Sequence, residues 1–487
     1  MSNPAGHAVT VTLRRDLGLF DVTMIGVGAM IGTSIFVLIG VATREVGSAV
    51  MLVFVLNALA TLFTAGTYAE LGSTFPEAGG GYLWAKKGLR HPAAFLSGWM
   101  SWFGHTVACS YYGLGMGYAM LAFMGYFQLD FFGLEDEMVV KVFATAAILF
   151  FLVVNYAGVG ATGKASDMIT LIQIMIVTFF VAFAVLYALD VKGMGILDSF
   201  DPIFPEDKGL TDVFMVMGFT FIAFEGYEII VQCGEEVKNP KKNVPRAIFI
   251  SVAVAAALYL GVAFACLANF SPDWVGGEGE NAVISVSERL IPYFGAPLVI
   301  FGGVLSAMAA LNATVFSSSR VSFAMGRDRS LPRMFGSIHK KRRVPHNAIL
   351  VTGLIMLFMA FFFPLEVVVA STSIMFLLLF TLANAAAIKL RRRLTKIDIG
   401  FKTPLFPLFP VVGILCSLAI AGYLYLFMPV AWYITAVWVA VGLALSAFAR
   451  PSEEYQSIVE RKRVPQKPLP KEQIDRYRVF LALGDLG

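Results

Sequence analysis

Charge is what this 487-residue sequence has least of. Asp, Glu, Lys and Arg make up 14% of it, against about 25% in an ordinary soluble domain. Cysteine is also scarce. Cys109, Cys233, Cys266 and Cys416 all fall in apolar segments, with no paired or metal-type spacing, and read as packing residues. No zinc-ligand pattern, no nucleophile with a nearby base and no phosphate-binding loop occurs, so neither a cofactor nor a catalytic constellation is expected. Nothing suggests a nucleic-acid partner. The polar start through Arg14 and Arg15 lacks the apolar stretch and small-residue site of a cleaved signal peptide.

Apolar residues fill the gap, at 58% of the chain. Over half of a folded surface is apolar already, so a soluble protein could not hide this much. Soluble enzymes, secreted modules and disordered regulators are excluded, and a polytopic membrane protein remains. A helical span takes about 20 apolar residues. Twelve such segments can be drawn: 17–42, 47–72, 92–126, 138–157, 167–190, 211–234, 246–270, 295–325, 347–363, 366–388, 408–428 and 430–449. Abundant Gly and Ala with weak alternation argue for helices over a β-barrel. With the N-terminus inside, all but five of the 37 Lys and Arg residues fall on the cytoplasmic side; the five are Arg44, Lys141, Lys192, Lys208 and Arg289. That asymmetry predicts twelve spans with both termini cytoplasmic. The polar tail 450–487, with Arg461, Lys462 and Arg463, either touches anionic lipid or simply stays solvated.

Two segments are interrupted. The first carries Gly26, Gly28 and Gly32, then Thr33 and Ser34; the sixth carries Gly218 and Gly226 around Glu225 and Glu228. Close helix packing is one explanation for such glycines. The other is that segments one and six are five apart, hence partners in a five-plus-five inverted repeat, and paired glycine-interrupted helices point to a transporter site. Broken helices expose N–H groups for a carboxylate and carbonyls for an ammonium, which together suit a zwitterion. A carboxylate such as Glu225 at mid-membrane is a functional candidate: it accepts a coupling proton, binds a cationic substrate group, sits protonated between helices, or caps the broken segment. Glu228, three residues on, shares its helix face if the helix has resumed. His105 reads as a satisfied packed histidine more readily than as a proton relay.

Several motifs, taken in order, resemble the amino acid permeases of the amino acid–polyamine–organocation superfamily. They are Gly32-Thr33-Ser34-Ile35-Phe36; Pro76 to Tyr82 with Ala94 to Trp99; Phe224-Glu225-Gly226; Glu235 to Pro240 with Val244 to Ile248; and Ser319-Arg320 through Asp328 to Pro332. The resemblance runs from about residue 13 to 449. It implies an all-α fold of about twelve transmembrane helices with the inverted repeat of the bacterial leucine transporter. The parts would be a cytoplasmic N-terminus 1–16, repeats 17–190 and 211–390, peripheral helices 408–449 and the cytoplasmic tail 450–487. It implies a substrate site at Met30, Ile31, Gly32, Thr33 and Ser34 and at Ile222, Phe224, Glu225 and Gly226. Thr33 and Ser34 would hold the substrate carboxylate. The carbonyls of Met30, Ile222 and Glu225 would face its amine, and Phe224 would line the side-chain pocket or gate.

Two positions depart from that pattern. Ser34 stands where the motif usually has Gly, and Gln173 stands where many proton-coupled members carry a Lys. Gln173 has no charge to gain or lose, so coupling falls to Glu225 or the protein exchanges substrates without an ion. Ser317 and Ser318 could serve sodium or merely helix packing. The expectation is a plasma-membrane secondary transporter of amino acids, by proton symport or exchange, with membrane lipid around it; a prokaryotic inner membrane suits it. The rivals are a polyamine or amine transporter and a non-transporting amino acid sensor.

Overall fold

In the computed structural model the described residues run from 15 to 448, apart from 78, 158–162, 340, 341, 343 and 394–398. The N-terminus before residue 15 and the tail from Arg450 lie outside them. Every regular element among them is helical. The one β-bridge pairs Leu17 with Val237.

The order is α1 (Leu19–Ile31), α2 (Ser34–Val46), α3 (Val50–Thr74), a short α4 (Gly80–Gly88), α5 (His91–Tyr126), α6 (Asp136–Ala157), α7 (Gly163–Lys192), α8 (Leu210–Thr220), α9 (Tyr227–Gln232) and α10 (Pro240–Asn269). Two small helices follow, α11 (Pro272–Gly277) and α12 (Ala282–Leu290), then α13 (Gly295–Arg327), α14 (His346–Phe362), α15 (Leu365–Arg393), α16 (Leu408–Phe427) and α17 (Pro429–Phe448). Ten stretches of the described residues are long and apolar enough to cross a membrane. One of them, Leu19–Thr74, has 56 residues. A straight helix of that size would be about 84 Å long against a hydrocarbon core of about 30 Å, so it must cross twice. His346–Phe362, at 17 residues, adds a short crossing. The molecule is an all-α polytopic membrane protein, with crossings where the apolar segments predict them.

Some boundaries differ from expectation. The seventh crossing begins at Pro240 rather than 246, because a proline at the first helical position starts a helix without wasting a donor. The tenth runs on to Arg393, where three arginines complement the carbonyl end of the helix. The small helices α4, α11 and α12 were not foreseen; their residues are too polar to register as apolar segments.

Burial separates centre from rim. In the most apolar window of Leu19–Thr74, 94% of residues are buried, and in that of Leu210–Gln232, 89%; for Pro429–Phe448 the figure is 22%. The rim helices expose Val153, Leu186, Leu354 and Val437, as lipid-facing helices must. The two interrupted segments are therefore the core of the bundle. Each starts the same way: the Asp21 carboxylate accepts the Gly18 N–H at 2.6 Å, and the Asp212 carboxylate accepts the Gly209 N–H at 2.9 Å. Both bonds satisfy a donor that the first turn leaves free.

Candidate functional site

The first break falls at Gly32 and Thr33. Gly32 has φ +41°, in the region that only glycine enters cheaply. There α1 ends and α2 begins. The second break is a tight turn, Phe221–Phe224, between α8 and α9, followed by Glu225 and Gly226. The two breaks touch. A Cβ on Gly226 would lie 2.8 Å from the Gly26 carbonyl oxygen and 2.9 Å from the Met30 nitrogen, so only glycine permits this approach. The structure thus brings Met30, Gly32, Thr33 and Ser34 together with Ile222, Phe224, Glu225 and Gly226, all buried.

Side chains from the surrounding helices satisfy the broken ends. At the carbonyl end of α1, the Tyr259 hydroxyl donates to Met30 O at 2.9 Å and lies 3.3 Å from Ile31 O. The Tyr112 hydroxyl donates to Ala29 O at 3.4 Å, and Ser306 Oγ donates to Gly32 O. Around the second break, Asn57 Nδ2 donates to Met217 O at 3.0 Å, and Ser373 Oγ accepts the Ile222 N–H at 3.2 Å. Ile222 O accepts the Glu225 N–H and Glu225 O accepts the Glu228 N–H. The three carbonyls expected to face an amine therefore already hold one bond each. A carbonyl has two lone pairs, so each keeps one acceptor site. Tyr112, Tyr259, Ser306, Asn57 and Ser373 carry no sequence signal, because a hydroxyl or amide in an apolar segment is common and nothing in the pattern points it at a break.

Other polar atoms stay without a protein partner. The hydroxyls of Thr33, Ser34 and Tyr111 lie together, close enough to interact with one another, and Thr33 Oγ1 and Tyr111 Oη reach no other partner. They sit at the start of α2, whose first N–H groups lack intrahelical acceptors. That combination of spare donors fits an incoming carboxylate. Phe224 is fully buried with its ring 5.8 Å from that of Tyr259. Among the described residues no group of three or more His, Cys, Asp or Glu is placed to hold a metal ion.

The coupling candidates divide. Glu228, His105 and Ser317 converge on Gln232, a residue the sequence reading missed. His105 Nδ1 lies 2.7 Å from Ser101 O and can only donate there, which leaves Nε2 to accept from Gln232 Nε2 at 3.4 Å. Gln232 Nε2 also reaches Glu228 Oε1 at 3.4 Å, and Ser317 Oγ donates to Gln232 Oε1. Glu228 Oε1 further accepts the Gly81 N–H, at the start of α4, at 3.4 Å. One amide thus ties α9 to α5 and α13, with the neighbouring carboxylate holding α4. Ser318 does not join: its hydroxyl bonds Val315 O within its own helix at 3.1 Å. Gln173 is fully buried with both amide atoms unpartnered.

A lid covers one end. The segment Gly279–Asn281, between α11 and α12, seats on α2 so closely that a Cβ on Gly40 would lie 2.0 Å from Gly279 O and 2.5 Å from Ala282 Cβ. Between Thr33 and the lid residues Glu280 and Asn281 a cavity of about 10 Å³ remains. Gly40→Val must therefore hold the lid off α2. The expected result is uptake reduced at least tenfold with equilibrium substrate binding kept within about threefold, read by uptake and binding on the same preparation. Uptake within twofold of the parent would show that the lid need not seat.

The chain matches known proteins over most of its length. A family model described as "Amino acid permease" matches residues 17–447. The chain is 28% identical over 453 residues to a branched-chain amino acid permease of Bacillus subtilis, covering 89% of this chain and 92% of that one. It is 28% identical over 441 residues to a methylthioribose transporter of the same organism, covering 88% and 92%. With cationic amino acid transporter 4 of Mus musculus it shares 27% identity over 405 residues, covering 79% and 61%.

Proposed function

The chain belongs to the amino acid permease family, which consists of transporters and not enzymes, and from that premise we propose that it exchanges amino acids across the plasma membrane by alternating access around the two touching breaks. The observation that carries this reading is the contact at Gly226, which packs the second break against Gly26 and Met30 of α1, next to the carbonyl end of α1 and the hydroxyl and amide donors at the start of α2. The donors would hold the substrate carboxylate and the remaining carbonyl acceptors its amine. The matching Gly–Asp starts of the two broken segments support treating 17–190 and 211–390 as inverted repeats, with 408–449 peripheral. Both termini are placed in the cytoplasm on the asymmetry of Lys and Arg, and a prokaryotic inner membrane suits the chain.

Exchange is favoured over proton symport by Gln173. A buried neutral amide stands there without a partner, and it cannot alternate between charged and neutral forms. The test is transport by purified protein in liposomes with a panel of labelled amino acids. Movement only into vesicles preloaded with unlabelled substrate is expected. Accumulation driven by an inward proton gradient into empty vesicles would instead establish symport and assign the proton to Glu225 or Glu228. Binding without movement under either condition would leave the sensor reading.

A further inference from the structure

A zwitterion needs one cluster of donors and one of acceptors, and the two breaks supply both. Glu225 is left over. Its carboxylate is 5% exposed, and Oε2 has no hydrogen-bond partner. The backbone of the same residue is committed to the turn, through Ile222 and Glu228, which places the residue at the junction of the two segments. Glu228 likewise has an unpartnered Oε2, but its Oε1 is held by the Gly81 N–H and the Gln232 amide, whereas no bond to the Glu225 carboxylate is found among the described residues.

The residues around Glu225 are informative by their type. Cys109, Tyr111 and Tyr112 on α5 lie within reach of its charge, and Glu228 adds a second carboxylate. The recorded ion pairs of the described Lys and Arg residues involve Glu45, Glu70, Glu77, Glu137, Glu236, Asp328 and Glu366, and none reaches Glu225. A buried ionised carboxylate without a partner is strongly unfavourable. Structural carboxylates in this same protein show the usual remedy: Glu70 is met by Arg391 at 3.0 Å and by the Thr403 N–H at 2.8 Å. Glu225 Oε2 has no such partner, and it lies at the junction of the two breaks proposed as the substrate site. Tyr111 and Tyr112 lie near it, and aromatic side chains suit a cation carried on an alkyl chain.

We propose that Glu225 is a specificity-determining residue that binds a second, distal cationic group, so that the preferred substrates are amino acids with a side-chain ammonium or guanidinium. This rests on the proposed transport reading and names its substrate class. The α-carboxylate occupies the start of α2, the α-ammonium the free carbonyl acceptors, and the distal cation pairs with Glu225. An aliphatic amino acid enters the same site but leaves the carboxylate to be neutralised by a proton.

The probes are lysine and norleucine, close in length and different in distal charge, in exchange assays with purified protein in liposomes. The parent protein is expected to prefer lysine at least tenfold in kcat/KM. Glu225→Gln is expected to lower lysine kcat/KM at least tenfold, mainly through KM, and to lower it at least threefold more than it lowers norleucine kcat/KM. Glu225→Asp should restore part of the lysine preference. A variant that loses both substrates equally, with Glu225→Asp no better, would overturn the assignment, as would an unchanged lysine-to-norleucine ratio. Parent protein that exchanges norleucine and ignores lysine refutes the substrate class alone. Parent protein that exchanges neither, nor any other amino acid, refutes the transport reading instead. Preference for putrescine over lysine would overturn the assigned order of groups, since a diamine has no carboxylate for the start of α2.

Discussion

Gly226→Val is expected to abolish transport, with uptake falling at least a hundredfold, and to lower the thermal midpoint of the purified protein. The cause is steric and local. Even the first added carbon would lie 2.8 Å from Gly26 O and 2.8 Å from Met30 Cγ, and 2.9 Å from the Met30 nitrogen. Two of those atoms are backbone, so no rotamer change relieves the clash and the two broken segments must separate. Forcing extra carbons into a packed core costs about 1–3 kcal/mol, and here the displaced atoms are those that frame the site. Gly226→Ala should show the same defects in smaller measure. Uptake and thermal unfolding on the same preparations check both variants. Parental uptake by Gly226→Ala would show that the contact relaxes easily and does not define the site.

Gln232→Leu is expected to reduce exchange at least tenfold and to destabilise the protein. The leucine preserves bulk but removes the amide that serves His105, Glu228 and Ser317 together. Each buried polar atom left unserved costs about 1–3 kcal/mol. His105 cannot compensate by reorienting, since its Nδ1 is committed to Ser101 O. The functional consequence follows from position: α9 is only six residues long and hangs from the second break, so side-chain bonds to α5 and α13 set where it rests. A double-mutant cycle with His105→Leu in thermal unfolding should return a coupling of about 0.5–3 kcal/mol. Strict additivity would show that the two side chains act independently and that Gln232 does not tie α9 to α5.

Much of this architecture was legible from residue order alone, because a hydrocarbon solvent leaves few choices. Apolar runs of about 20 residues must be helices. Gly32, and Gly226 between two carboxylates, marked the interruptions, since a backbone that leaves the helix at mid-depth needs special residues; Gly26 and Gly28 lie inside α1, where they let Ile230, Ser251 and Thr170 pack closely. The resemblance implied Met30, Thr33, Ser34, Ile222, Phe224 and Glu225 as a group, and the structure places them around one contact. The motif order also carried the family, which the match over residues 17–447 shows.

What sequence reading missed has one physical character. Tyr112, Tyr259, Ser306, Asn57 and Ser373 complete the broken ends from five different helices, and Gln232 joins three expected residues that are 89 and more positions apart from one another or on separate helices only by folding. A polar side chain in an apolar helix is identified by what it faces, and facing is set by packing between segments distant in the chain. The lid is a similar case: nothing in Gly40 or Gly279 announces that their backbones meet.

By itself, then, the sequence determined the solvent, the helical class and the two places where helices fail, since each follows from local composition and the cost of an unpaired backbone group in lipid. Only the tertiary structure decided which side chains answer those failures. It also decided that Glu228 Oε1 is held by Gly81 and Gln232 while the other oxygen of Glu228 and Oε2 of Glu225 have no partner, because hydrogen bonds and close contacts between helices depend on rotation and depth, which residue order does not encode locally.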